Sequence, residues 1–188
     1  MITENSNITQ KYKYVEFVSG NSEMTNPYIV PNVAAIARQM TSGSQIMLIV
    51  KRTLSLSPLN IIRFGINNLP FAMSILKMNF AAGVKVLCEL EILKSLEKEK
   101  TNHFVFHYQM VDMALAFGNK SVLQNFFYLS KKYGFIPGLI SNNPERMLAF
   151  LGGFSRLPEG LVVYTPLQLI KDNVRKVMEG SGVHFVGI

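Results

Sequence analysis

The fold is decided by residues 134–146, which read GFIPGLISNNPER. A glycine leads into a short apolar run, small polar residues follow, and a proline then opens a helical pattern. Asn143 can accept a hydrogen bond from the free N–H groups of a helix start, and Pro144 loses no useful donor at that position. The segment therefore predicts a strand that is followed directly by a helix.

The same order of residues recurs along the chain. Glycine commonly ends a helix because it tolerates the left-handed conformation, and a small polar residue before proline commonly begins one. The recurring alternation of strand and helix predicts a mainly parallel sheet with crossover helices. The glycines before apolar runs are Gly43, Gly83, Gly134 and Gly182, and the polar-proline joints are Asn26-Pro27, Ser57-Pro58, Asn143-Pro144 and Thr165-Pro166.

Hydrophobic periodicity divides the chain into about seven strand-helix units. We expect a break in the second helix at Asn68-Leu69-Pro70, because proline interrupts a helix. The predicted strands are 12–19, 46–54, 84–90, 103–109, 135–140, 161–164 and 184–188. The predicted helices are 28–40, 58–82, 92–100, 120–133, 145–154 and 167–178.

Residues 12–188 are expected to form a single α/β domain after a polar N-terminal tail, residues 1–11, since no linker divides them. The glycine-led segments at Gly83, Gly134 and Gly182 resemble the strands of barrel enzymes such as aldolases. The resemblance covers three short segments and names a style of architecture, not a family. It slightly favours a (β/α) barrel-like arrangement of the TIM type over an open doubly wound sheet, which remains the alternative.

Composition is that of one globular domain. The 188 residues are 48% hydrophobic and 16% charged, and charged or amide side chains interrupt every apolar run before the roughly 20 residues that a membrane span needs. The polar start, 1–10, lacks the order of a secretory signal, and the lone Cys88 cannot form an intramolecular disulfide. We therefore expect a cytoplasmic protein without a membrane span.

The net charge of +7 is spread evenly along the sequence. Lys and Arg outnumber Asp and Glu by 5 to 3 in residues 1–60, by 7 to 5 in 61–120 and by 7 to 4 in 121–188. A nucleic-acid-binding module usually concentrates its positive charge in one stripe with interleaved aromatic residues. The distribution argues against nucleic acid as a partner.

Three ionisable residues at predicted strand ends are the candidate catalytic groups. They are Lys51, Glu89 and His107, and they converge if their strands are neighbours. Lysine can form a Schiff base or hold an anion, glutamate can accept a proton, and histidine can transfer one near neutral pH. The alternative for Lys51 is an exposed strand end or an ion pair with Glu89, and the alternative for Glu89 is a simple lead into the charged segment 94–100. The alternative for His107 is a hydrogen-bonded core position.

Polar residues after the fifth and sixth predicted strands form a candidate substrate-binding cradle. Ser141, Asn142 and the free N–H groups of the next helix suit a carboxylate or phosphate, and Tyr164 could complete the cleft from the neighbouring strand. The alternative is a plain helix cap at Asn143 with no ligand.

A metal site is a weaker interpretation of the same strand ends. Glu16, Glu89 and His107 offer two carboxylates and an imidazole, but they lie on separate elements and show no ligand spacing. Cys88 is adjacent to Glu89 and points to the opposite face if the segment is a strand. We therefore assign no metal ligands, and the sequence does not identify a cofactor.

The sequence carries no phosphate loop, dinucleotide fingerprint, nucleophile elbow or His-Glu-x-x-His motif. The function predicted from the strand-end residues is a small-molecule enzyme of lyase, aldolase or isomerase type, acting on a phosphorylated or carboxylated metabolite. The predicted partner is thus an anionic small-molecule ligand. The alternative is a non-catalytic ligand-binding or oligomeric scaffold, and a homo-oligomer is compatible with both.

Overall fold

The computed structural model describes residues 15–16, 27–31, 53–71, 73, 77, 79–98, 101–170 and 183–188. Its described strands are β1 (Val15–Glu16), β2 (Tyr28–Val30), β3 (His103–Phe106), β4 (Ile136–Ile140), β5 (Val162–Thr165) and β6 (His184–Gly187). Its described α-helices are α1 (Pro58–Asn68), α2 (Phe80–Lys98), α3 (Tyr108–Phe117), α4 (Lys120–Tyr133) and α5 (Pro144–Leu151). Short 3₁₀ turns cover Leu69–Phe71 and Leu167–Leu169.

The strands form one sheet in the order β1-β6-β5-β4-β3-β2. The five strands β2 to β6 are parallel and lie in chain order, and β1 pairs with β6 in the antiparallel direction. The α/β class and the parallel sheet are confirmed. The described part of the chain holds about five strand-helix units and not seven.

The helices pack on one face of the sheet. Side chains of β3 to β6 that point to this face form a core with residues of α2, α3, α4 and α5. Sheet members of this core include Phe104, Phe106, Leu139, Val163 and Phe185. A separate buried cluster on the other face consists, among the described residues, of strand and terminal positions only: Val105, Ile140, Val162 and Tyr164, with Ile29, Ile136, Val186 and Ile188 against them.

Helix α1 forms a third layer outside α2. Phe64 of α1 and Leu56 before it pack against Val86, Leu90 and Leu93 of α2. Helix α2 is therefore covered by the sheet on one side and by α1 on the other. The expected break after α1 is confirmed, since a 3₁₀ turn begins at Leu69.

Burial of α2 on two sides explains the main error in the sequence prediction. Residues 84–90 were predicted as a strand opened by Gly83, but both lie inside the helix Phe80–Lys98. A helix covered on both sides carries apolar residues all around, and its sequence then resembles that of a buried strand. Of the separate helix predicted at 92–100, residues 92–98 form the second half of α2, and residues 99–100 lie outside the described residues.

A second error concerns the beginning of the sheet. A helix was predicted over 28–40, whereas Tyr28–Val30 is a strand paired with Phe104–Phe106. Val30 precedes Pro31, and the residue before a proline is disfavoured in the helical region. The predicted helix start at Pro27 is thus wrong, and the rest of 28–40 lies outside the described residues.

The other boundaries agree more closely. Helix α4 covers the predicted 120–133, α1 begins at Pro58, and α5 begins at Pro144. Gly134 ends α4 with a φ of 68°, which is the left-handed conformation that glycine favours. Helix α3 was not predicted, because His107 and Gln109 were assigned to a longer strand.

Candidate functional site

Polar residues meet at the carboxyl ends of the central strands. His107 follows β3, Ser141 follows β4, and Thr165 ends β5. Since these three strands are parallel neighbours, the three residues lie along one edge of the sheet. Parallel α/β proteins place their ligand sites at this edge.

Asp112 of α3 lies against the turn that follows β4. The Ser141 hydroxyl donates to Asp112 Oδ1 at 2.7 Å, and the backbone N–H and side-chain amide of Asn142 both donate to Oδ2 at 3.3 Å. Ser141 is fully buried, and its Oγ also accepts from Asn143 N at 3.0 Å. The turn thus presents three donors to a carboxylate, and that carboxylate belongs to the protein itself.

Asn143 serves the helix and not a ligand. Its side-chain oxygen accepts a hydrogen bond from Arg146 N at 3.1 Å, which is the N-cap expected from the sequence. Arg146 donates from its guanidinium to Ala116 O at 3.2 Å. These bonds tie the start of α5 to the end of α3, so the turn that carries Ser141 and Asn142 is held from both sides.

Thr165 has the same orientation as Ser141. Alternation along β5 places the Thr165 side chain on the helix-facing side of the sheet with Val163. The backbone N–H of Ser141 donates to Tyr164 O at 3.0 Å, so Ser141 lies beside Thr165 at the ends of the two strands. Thr165 is completely buried, and its Oγ1 has no hydrogen-bond partner among the residues that the structure describes. A buried hydroxyl without a partner is costly, and such groups in native proteins call for a functional or solvent explanation.

His107 caps α3. The predicted strand 103–109 is too long, since β3 ends at Phe106 and His107 is the N-cap of the following helix. Its Nδ1 accepts a hydrogen bond from Gln109 N at 3.2 Å, so the proton of the neutral ring is on Nε2. The ring is half-buried and stacks on Tyr108.

The Tyr164 side chain points away from the polar residues at the carboxyl ends of β3, β4 and β5. Its side chain lies on the opposite face of the sheet, where its hydroxyl is 2.7 Å from His103 Nε2. His103 Nδ1 lies 3.0 Å from Ile136 O, and because a carbonyl only accepts, Nδ1 carries the proton and Nε2 accepts from Tyr164. Burial lowers the pKa of His103 to about 4, and the ring is therefore neutral at pH 7.

Gly138 makes room for the contact between His103 and Tyr164. It lies on β4 between them, and a Cβ atom there would be 3.2 Å from each ring and 2.8 Å from Val105 Cγ2. A side chain at this position would separate the two rings. Tyr164 thus acts as a core residue in the described structure, and it does not join Ser141 and Asn142 in one cradle.

Glu89 lies in the helix layer and not at a strand end. Its carboxylate accepts hydrogen bonds from Lys85 at 2.6 Å and from Asn68 at 2.9 Å on one oxygen, and from Lys132 at 2.7 Å and Tyr133 at 2.6 Å on the other. Lys85 Nζ also donates to Asn68 Oδ1 at 2.7 Å and lies over the Phe71 ring. This buried cluster joins α1, α2 and α4.

The ionisation of the cluster follows from burial and pairing. Burial alone would raise the pKa of the Glu89 carboxyl, but the hydrogen bonds from Lys132, Lys85 and Tyr133 hold its pKa below the usual value. Burial lowers the pKa of Lys85, against the opposing effect of Glu89, and burial with Glu89 raises the pKa of Tyr133. All four lone-pair positions of the carboxylate are used, so Glu89 is not free to accept a substrate proton.

The predicted catalytic trio is thus not assembled in the described structure. Lys51 lies outside the described residues, and Glu89 and His107 belong to different clusters. Asp112 was not predicted, although a carboxylate one turn into the helix after β3 is well placed to reach the next strand end.

In the described part of the chain, no three His, Cys, Asp or Glu side chains are grouped as metal ligands would be, and no helix has the length and apolarity of a membrane span. Cys88 is a buried free thiol in the core, and burial raises its pKa.

An open groove of about 840 Å³ lies at the opposite edge of the sheet. It runs between α4 and the segment that connects α5 to β5, and its walls include Tyr128, Lys131, Phe154, Arg156 and Glu159. Phe135 and Pro137 place it at the amino end of β4, away from Ser141.

Comparison with protein families, with curated proteins and with solved structures finds no match.

Proposed function

We propose that the protein is an enzyme of lyase, aldolase or isomerase type that binds a small carboxylated or phosphorylated metabolite at the carboxyl edge of β3, β4 and β5. The single observation that carries the proposal is the buried hydroxyl of Thr165. Within the described part of the chain it has no hydrogen-bond partner, and it lies next to a turn whose donors already hold a carboxylate. Polar groups of this kind converge where substrates bind.

In this proposal, the carboxylate of Asp112 stands in for the anionic group of the substrate. A ligand carboxylate or phosphate would take the donors of Ser141 and Asn142 as Asp112 moves aside, and Thr165 would supply another hydrogen bond. Lys51 remains the expected cation for the ligand. His107 is the proposed proton-transfer group, because its ring is half-buried at the same edge.

A barrel-like arrangement is the architecture that we propose around this site. It is supported by the chain order of the five parallel strands, by the packing of the described helices α2 to α5 on one face, and by the buried strand cluster on the other face. Barrel interiors are filled by side chains from successive strands in this way, and barrel enzymes carry their catalytic groups at the carboxyl ends of the strands.

The test is a thermal-shift screen with phosphorylated and carboxylated metabolites on the wild type, Asp112→Asn and Ser141→Ala. Asp112→Asn removes the competing charge but keeps an acceptor for Ser141, so ligand stabilisation should increase, whereas Ser141→Ala should reduce it. Glu159→Gln, an equal change of charge at the opposite edge, serves as the control. A ligand that stabilises all four proteins equally, or no ligand for any of them, would refute the proposed site.

Catalysis is tested with His107→Asn. Asparagine is a good N-cap residue, so this variant keeps the helix start but loses the imidazole. With the ligand found above, turnover should fall about a hundredfold or more while binding is retained. Unchanged turnover would remove His107 from the mechanism.

Non-catalytic ligand binding is the second candidate function. It is favoured by the saturation of Glu89, which leaves His107 as the one described member of the predicted catalytic trio at the strand edge. Binding without turnover of any stabilising metabolite would select this candidate.

A further inference from the structure

Helix α1, the 3₁₀ turn after it and Met73 expose a row of large apolar side chains. The exposed fractions are 76% for Leu59, 60% for Ile62, 69% for Ile66, 75% for Leu69 and 62% for Met73. Within α1 the spacing from Leu59 to Ile62 and on to Ile66 is three and then four residues, which is the repeat of residues that meet a second helix. The opposite side of α1 packs on α2, so this row is additional to the core.

The outer face of α1 carries almost no charge. Between residues 53 and 71 the sequence holds one ionisable side chain, Arg63, and its guanidinium lies 5.2 Å from the centre of the Tyr133 ring. Asn60 donates to Glu97 at 2.6 Å. Two copies of the helix can therefore approach each other without opposing like charges.

The apolar area suits an interface between two copies. Side chains of this size each have roughly 130 Å² of apolar accessible surface, at about 32 Å² per carbon atom. At a mean exposure of about two thirds, the five side chains offer roughly 450 Å² per copy, or about 900 Å² in a pair. A standard interface of about 1,600 Å² is roughly 56–65% apolar and needs about 900–1,040 Å² of such surface.

We propose that a second copy of this chain docks on the outer face of α1, through Leu59, Ile62 and Ile66, and on the exposed Leu69 and Met73 that follow the helix. The pairing is isologous, so that each row packs against the same row of the partner. A lipid surface is the less suitable occupant, because membrane-bound amphipathic helices carry several Lys or Arg residues beside their apolar face. The inference is independent of the proposed enzyme activity.

The test is the mass of the full chain in solution, measured by light scattering over a dilution series. We expect a dimer for the wild type and a rise of about a hundredfold or more in the dissociation constant for Ile62→Glu and Ile66→Glu. Both positions are exposed, so the variants should fold, as circular dichroism will check. Phe117→Glu replaces an equally exposed apolar residue on α3 and should leave the dimer unchanged.

Three results would overturn the proposal. The first is a monomeric wild type at its highest soluble concentration, a measurement that depends on no variant. The second is a dimer that survives both glutamate substitutions. The third is a monomer that binds phosphatidylcholine vesicles through Ile62, which would assign the face to lipid.

Discussion

Mild acid should destabilise the fold through the buried ring of His103. The ring has a pKa of about 4 in the folded protein and about 6.5 when exposed. Between these two values the unfolded chain binds a proton that the folded chain does not. Stability is therefore full above pH 6.5 and falls as the pH decreases towards 4.

The size of the loss follows from the two pKa values. A difference of about 2.5 pKa units lowers the free energy of unfolding by about 3 kcal/mol when the pH is well below both values. About 2 kcal/mol of this stability is already lost at pH 5. The proton would enter at Nε2, because Nδ1 already donates to Ile136 O. Protonation therefore also costs the hydrogen bond from Tyr164.

The measurement is urea unfolding of the wild type and His103→Gln at pH 7 and at pH 5. Glutamine does not titrate, so the variant should lose about 2 kcal/mol less than the wild type between the two values. Any cost of the substitution at pH 7 cancels in this comparison. The ion pairs of Glu89 do not interfere, since its pKa lies below the usual value for a carboxyl and the loss of that contribution begins at lower pH. Equal pH dependence in the two proteins would refute the assignment of a neutral buried ring.

Other predictions concern folding stability and are measured by the same unfolding assay. Glu89→Ala leaves buried cations without a counter-charge and should lower the free energy of unfolding by about 3–5 kcal/mol. Glu97→Gln, at an exposed site, should have a much smaller effect, and equal losses would contradict the role of the buried cluster. Gly138→Ala should cost about 1–3 kcal/mol because its Cβ meets Val105, while Gly65→Ala, in open space within α1, should stabilise by about 0.5–1 kcal/mol. If both glycine variants shift the free energy of unfolding in the same direction, the interpretation that Gly138 is closely packed is wrong. Asn143→Ala removes the cap of α5 and should lower the free energy of unfolding by about 1 kcal/mol, whereas Asn143→Asp should keep most of the wild-type stability. Unchanged stability in both variants would show that the cap does not stabilise α5.

The sequence predicted best where local chemistry and tertiary structure agree. The segment from Gly134 to Arg146 has a helix-ending glycine, an apolar strand and a capped helix start, and each of these lies where it was expected. The agreement arises because turns and caps depend on residues within one helical turn of each other. The positions of α4 and α5 followed for the same reason.

The prediction failed where burial replaces local preference. In α2 the pattern of apolar residues reflects two neighbours, the sheet and α1, and neither is visible from the segment itself. The spacing of Lys85 and Glu89 by four residues was an available signal of a helix. Ser141 and Asn142 lie together after β4 and both donate to Asp112, and their part in binding a ligand stays a prediction. The partner Asp112 could not be identified, because its contact with Ser141 joins residues 29 positions apart.

The enclosed position of α2 also restricts how this protein can diverge. Twelve of its nineteen residues are buried, so few positions can change without affecting the core. An ordinary surface helix accumulates neutral substitutions on its solvent side, and α2 has little of that side. Related chains should therefore differ least along α2, and they should differ more freely along the exposed positions of α4.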